Sequence, residues 1–202
     1  MRMLRRVANW MRNAAGIGLL FIVAACSNEA PLSSDQANND AGQKSAGNVV
    51  QSDIGPIKLL RSNPLAVTLG TGSGSDGVFY AEKYIEKGHD GQIVVGDNTS
   101  GYTTLTIPQD AVPTNMTISV QWSVTGINEL VFEPHGVSFM KPLLLSVSYK
   151  TADLSGMDES SLRLFYEKDS DLWKLIGGVV NQENKQVNTS LNHFSRYALG
   201  GE

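Results

Sequence analysis

The chain has 202 residues, 18% of them charged, 41% hydrophobic and 7% aromatic, with one cysteine and a formal charge of −4. That length holds one ordinary domain or two small ones, and the hydrophobic share excludes a wholly disordered chain. A single thiol excludes an intramolecular disulfide and any multi-cysteine zinc site.

Residues 1–13 are a basic head that includes Arg2, Arg5, Arg6 and Arg12, and residues 14–25 are twelve apolar or small residues. At about 1.5 Å per residue this run is too short to cross roughly 30 Å of hydrocarbon. A basic head followed by a short apolar run has the layout of a secretory signal. The four arginines are the only charged residues among the first 25. An exported body therefore keeps twelve basic against twenty acidic side chains, a net of −8. Such a body does not track a phosphate backbone by charge, so no nucleic-acid partner is expected.

The apolar run ends Val23-Ala24-Ala25-Cys26. This resembles the lipobox of bacterial lipoproteins, an aliphatic residue and two small residues before a cysteine. The resemblance implies cleavage between Ala25 and Cys26, thioether lipidation of Cys26, and acylation of its new amine by a fatty acid such as palmitate. The lipid bilayer is then one partner of the chain. Several acyl chains, each worth about 0.8 kcal/mol per buried CH₂, anchor stably where one chain binds reversibly. In that family an aspartate after the cysteine marks inner-membrane retention. Ser27 stands there, which implies the outer membrane of the cell envelope. The other reading is an uncleaved signal anchor with an incidental cysteine.

Residues 26–76 read as the lipidated cysteine and a flexible tether. From Ser27 to about Asp53 the chain is rich in Ser, Asn, Asp, Gln, Ala and Gly. It lacks the periodic apolar residues that would offset its ordering entropy. Ile54 to Leu69 is more apolar and suggests a short strand docked on the body. Gly70 to Gly77 reads as a link.

From residue 77 to 202 the pattern has period two. Met116, Ile118, Val120, Trp122 and Val124 alternate with polar residues, as do Leu143, Leu145, Val147 and Tyr149, and Leu162, Leu164 and Tyr166. Such runs put one face in a core. Further short strands are expected near 92–95, 102–107, 130–133, 172–176, 186–191 and 194–199. The spacing predicts an all-β chain built as an antiparallel β-sandwich. Helical turns are expected only within 151–161 and 81–87.

The order of motifs is specific. Asp90-Gly-Gln-Ile-Val-Val95 precedes Thr104-Leu-Thr-Ile-Pro-Gln-Asp-Ala-Val-Pro113, and Pro134-His-Gly-Val-Ser-Phe-Met-Lys-Pro142 leads into Leu143–Tyr149. This resembles the ZU5 domain, the β-sandwich module of ankyrins, netrin receptors, zonula occludens proteins and many bacterial surface proteins. The resemblance covers about 90–202. It implies a module that binds proteins or holds neighbouring domains together. Asp90-Gly91 departs from the two glycines that many members have. Physically, Pro108 ends a strand, Gly136 allows a left-handed turn, Phe139 fills core, and Pro142 opens the next strand at an edge.

Several patterns suggest chemistry. Some ZU5-containing signalling proteins cleave themselves at His-Phe-Ser, and His193-Phe194-Ser195 has that order. The resemblance implies attack of the Ser195 hydroxyl on the Phe194 carbonyl, with His193 as base and a strained peptide bond. The competing reading is that Phe194 packs and its neighbours flank it. Gly72-x-Gly74-x-x-Gly77, with Asp97 further on, matches a dinucleotide fingerprint but lacks a βαβ series, so it reads as a linker. Ser138-Phe-Met-Lys141 matches Ser-x-x-Lys but lies in a β connection. His89, His135 and His193 lack metal-ligand spacing. Asp90, Asp97, Asp169 and Asp171 read as solvated turns rather than calcium ligands. Trp122 reads as core, and Trp173 as core or as an exposed anchor for a partner or glycan.

The sequence therefore predicts a membrane-anchored, non-catalytic module with a protein partner in the envelope, no cofactor and no metal. Two alternatives stay open, self-cleavage at His193-Phe194-Ser195 and carbohydrate or cell-wall binding.

Overall fold

The computed structural model describes residues 49–63, 77–170 and 172–201. The chain is all-β. Its strands in order are β1 (Val49–Ser52), β2 (Gly55–Leu59), β3 (Arg61–Ser62), β4 (Val78–Ile85), β5 (Gly91–Asp97), β6 (Gly101–Ile107), β7 (Met116–Ser123) and β8 (Glu129–Glu133). There follow β9 (Ser138–Ser148), β10 (Ala152–Asp153), β11 (Arg163–Asp169), β12 (Leu172–Gly177), β13 (Val179–Asn181), β14 (Gln186–His193) and β15 (Arg196–Gly201). Among the described residues no helix is long and apolar enough to cross a membrane.

Two sheets pack face to face as a sandwich. One has eight strands in the order β11-β12-β1-β2-β15-β8-β7-β4, and the other has five in the order β13-β14-β9-β6-β5. The period-two residues point between them. Ile118, Val120, Trp122, Leu130 and Phe132 from the larger sheet meet Leu105, Leu143, Leu145, Val147 and Leu191 from the smaller, all buried. Each fully buried side chain of this size contributes roughly 1.5–3 kcal/mol of transfer free energy.

The larger sheet also curls on itself. β15 pairs β2 along one edge and β11 along the other, while β11 pairs β12, β12 pairs β1 and β1 pairs β2. Those five strands form a closed ring. Ile57, Leu59, Phe165, Trp173 and Ala198 fill it as a second buried cluster. The β1–β12 pairing is parallel, while the other strand pairings of the described residues are antiparallel, in line with the expected antiparallel sandwich. The ring also bears on the tether: β2 and β3 lie within Ile54–Leu69, where a docked strand is expected, whereas β1, at Val49–Ser52, is a strand inside the part read as flexible spacer.

Two further expectations change. Residues 81–87 hold most of β4, which pairs β7 from Val78 to Ile85, and not a helical turn. Pro142 lies inside β9 rather than opening a strand. The β9–β14 register breaks between Leu191 and His193, opposite Pro142, so the missing proline N–H falls where the ladder is already interrupted. Within 151–161 a 3₁₀ turn forms at Glu159–Ser161, capped by the Asp158 side chain, which accepts from the Ser160 N–H. Pro108 follows the last residue of β6, and Gly136 has φ +75°.

Candidate functional site

His193, Phe194 and Ser195 form the bend between β14 and β15. The Phe194 ring is buried, stacked on Phe132 at 5.2 Å and edge-on to Phe139 at 4.6 Å. Backbone bonds clamp the bend: Phe194 N donates to Val137 O at 3.3 Å, and Phe132 N donates to Ser195 O at 3.4 Å. The Ser195 hydroxyl donates to the Glu167 carbonyl at 3.2 Å. The His193 ring lies edge-on to Tyr166, with its Nδ1 3.4 Å from the Tyr197 hydroxyl. That hydroxyl donates to the His193 carbonyl at 2.6 Å. Burial, then the nearby Tyr166, pushes the Tyr197 phenol above its ordinary range.

These contacts give each member of the triplet a packing role. Among the described non-glycine residues only Asp110 and Lys185 have left-handed φ, so the bend does not store strain of that kind. Beside it, Arg196 joins three strands. Its Nη2 meets Glu129 at 2.6 Å, its Nη1 meets Glu167 at 3.1 Å, and its guanidinium lies 5.8 Å from the centre of the Trp173 ring. Trp173 is 3% exposed and fills the ring of strands, so of its two sequence readings the structure gives core and not the exposed anchor.

The other sequence candidates separate. Ala25 and Cys26, Gly72 and Gly74, and Asp171 lie outside the described residues. Lys141 sits on β9, where its ammonium reaches the Gln109 carbonyl at 2.9 Å and the Asp110 carboxylate at 3.6 Å. Asp97 Oδ1 accepts from the N–H groups of Thr99 and Ser100, which closes the β5–β6 turn. His135 pairs with Glu133 at 3.0 Å, and His89 lies 3.8 Å from Glu86. Among the described residues no group of three His, Cys, Asp or Glu side chains is placed to hold a metal ion.

A site that the sequence reading missed lies where both sheets end. β4 is the last strand of the larger sheet and β5 the last strand of the smaller. Lys83 reaches across from β4 to the Gln92 carbonyl on β5 at 3.4 Å. Between the two strands lies a cleft of about 430 Å³, lined by Val78, Phe79, Tyr80, Val94, Val95 and Gly96, with Asp97 at its end. Phe79 stacks on Trp122 at 5.5 Å, which fixes the cleft to the core. Tyr80 and Tyr84 stand outward from β4, 61% and 56% exposed. The Tyr80 hydroxyl donates to Glu82 between them at 2.7 Å. A terminal strand whose outer edge is unpaired among the described residues, beside exposed aromatic side chains, can accept an extended peptide as an added strand. Phe79, Ala81 and Ile85 alternate in the inward phase. Lys83 breaks the alternation, and the signal was lost there.

Comparison with protein-family models and with curated proteins gives no match for this chain.

Proposed function

We propose that this protein is a lipid-anchored module of the bacterial envelope that binds a partner protein and catalyses no reaction. The observation that supports it best is the β4 edge with Tyr80 and Tyr84 beside the β4–β5 cleft. Tyrosine gives large contact area and a hydroxyl at low entropic cost, which suits a recognition surface. The partner is a protein with an extended, largely apolar segment that adds to the β4 edge and places side chains against Val78, Phe79 and Val94.

The anchor in this reading is acylated Cys26 in the outer membrane, supported by the Val23-Ala-Ala-Cys26 resemblance and by Ser27 after it. The body is ZU5-like, and its Ile107–Ala111 and Pro134–Pro142 motifs act as fold determinants. The packing of His193, Phe194 and Ser195 favours a structural role over self-cleavage.

The test uses the full chain in detergent, mixed with solubilised envelope proteins from its own cells. A partner retained in stoichiometric amount by the native chain and lost with Tyr80→Ala/Tyr84→Ala supports the reading. Equal retention by both chains counts against it.

A further inference from the structure

We propose that the outer face of the five-stranded sheet binds an uncharged polysaccharide. The argument starts from register. Val94, Thr104, Ser146, Asn188 and Val179 stand opposite one another across all five strands. One step along, Gln92, Thr106, Leu144 and Ser190 form a second row. On the other side Tyr102 and Gln186 begin a third, tied by the Gln186 side-chain amide donating to the Tyr102 carbonyl at 3.1 Å.

Residues directly opposite in a ladder share a face. Their sequence neighbours Ile93, Val95, Leu105, Leu145 and Val187 are buried, so these rows face outward. Among the described residues of the three rows none is charged. The chain is 18% charged, and the opposite outer face holds Glu82, Glu129, Glu133 and Arg196. The charges nearby stand at its rim, Lys150, Glu183 and Lys185 beside Tyr102 and Gln186 and the Lys83 ammonium at the Gln92 carbonyl, so the rows themselves offer neutral groups that repel no neutral polymer.

What it does present is hydroxyl and carboxamide groups, with Val94, Leu144 and Tyr102 exposed at 46%, 54% and 44%. Hydroxyls and amides both donate and accept, as the hydroxyls of a pyranose do. Ser146 already donates to Asn188 Oδ1 at 2.6 Å, which pre-orders one pair on the platform. Tyr102 supplies a ring held by its hydroxyl donating to Asn98 Oδ1 at 3.1 Å.

Size and composition decide between a glycan and a second copy of the chain. Strands about 4.8 Å apart and rows about 7 Å apart make a platform of roughly 19 by 14 Å. A stable protein interface needs about 800 Å² from each partner and an apolar centre. Here Val94 stands opposite Thr104, Leu144 lies between Thr106 and Ser190, and Val179, 72% exposed, stands opposite Asn188, so polar residues set the exposed apolar ones apart across the ladder. The platform fits a few sugar rings and is too small and too polar for a stable dimer.

The test titrates the full chain in detergent with two neutral β-linked probes, cellopentaose and chitopentaose, followed by calorimetry. The result expected is saturable binding of at least one probe, unchanged when sodium chloride is raised to about 1 M, where charge effects are screened within about 3 Å. Leu144→Lys, at an exposed site that leaves the core alone, weakens binding about tenfold or more, as does Tyr102→Ala, while Tyr80→Ala on the other sheet leaves it unchanged. No saturable binding, binding abolished by salt, or equal binding by Leu144→Lys overturns the proposal. So does concentration-dependent dimerisation of the ligand-free chain that Leu144→Lys abolishes, since the occupant is then a second copy.

Discussion

The indole Nε1 of buried Trp122 donates to Asn128 Oδ1 at 2.8 Å, and Asn128 Nδ2 donates to the Ser148 carbonyl at 3.2 Å. Trp122 belongs to the larger sheet and Ser148 to the smaller, so one carboxamide spans the sandwich. Its backbone is tied as well: Asn128 N donates to Leu60 O at 2.9 Å, and Asn128 O accepts from Leu199 N at 3.3 Å. Replacing Asn128 by Ala leaves the indole N–H and the Ser148 carbonyl buried without partners, at about 1–3 kcal/mol each. Denaturant unfolding of Asn128→Ala is expected to show that loss as a lower midpoint. A midpoint shift worth under about 0.5 kcal/mol, the size of an ordinary surface substitution, would remove the residue from this role.

The closed ring of strands gives a second prediction. Ile57 is 2% exposed and packs with Phe165 and Trp173 in a cluster separate from the main core. If the ring is part of the folded body, Ile57→Ala costs roughly 2–4 kcal/mol, the range for truncating a buried aliphatic. The same substitution in a loose tether would cost almost nothing. Urea unfolding of the full chain distinguishes these outcomes.

A third prediction concerns the Phe194–Ser195 bond. With the Ser195 hydroxyl donating to Glu167 O and the bend clamped by Val137 and Phe132, the bond is expected to stay intact. Intact-mass measurement of the purified chain should show one species carrying the last residues, and Ser195→Ala should leave that mass pattern unchanged. A second species ending at Phe194, lost in Ser195→Ala, would establish self-cleavage.

Tyr197 predicts the alkaline behaviour. Burial, then Tyr166, raises its folded pKa above the ordinary value of about 10. The unfolded chain therefore ionises first. The stabilisation is fully present below about pH 10 and is lost as pH rises beyond it, by up to about 1.4 kcal/mol per pH unit. Burial, then Glu159, moves Tyr149 in the same direction. The urea midpoint should fall above that pH. Tyr197→Phe lowers the midpoint overall, because the bond to the His193 carbonyl is gone, but flattens its alkaline slope.

How far the sequence foretold this structure depends on how local each signal is. The alternation at Met116–Val124 and Leu143–Tyr149 reads directly as one buried face, and β7 and β9 lie there. β1 and β2 are short and contain Gly55 and Pro56. The apolar residues of Ile54–Leu69 suggest the docked strand that β2 forms, but β1 carries no such pattern and is held by β12, more than a hundred residues away. β4 was missed because Lys83 occupies an inward phase and escapes to the Gln92 carbonyl at the open side of the sandwich. The site at the two terminal strands depends on which strands end each sheet, and that is a property of pairing order rather than of any motif. Trp173 stands beside a charged turn in sequence, yet Arg196 and the ring of strands cover it.

The central claim, a lipid-anchored module that engages a protein at β4, is tested most directly by photo-crosslinking in its own cells. The full chain carries a photo-reactive residue at position 80 or, as a control, at position 190. The account predicts one discrete protein adduct from position 80, none from position 190, and loss of the adduct in Cys26→Ser as the body leaves the membrane fraction. No adduct from position 80, the same adducts from both positions, or a Cys26→Ser chain still in the membrane with its adduct intact would contradict it.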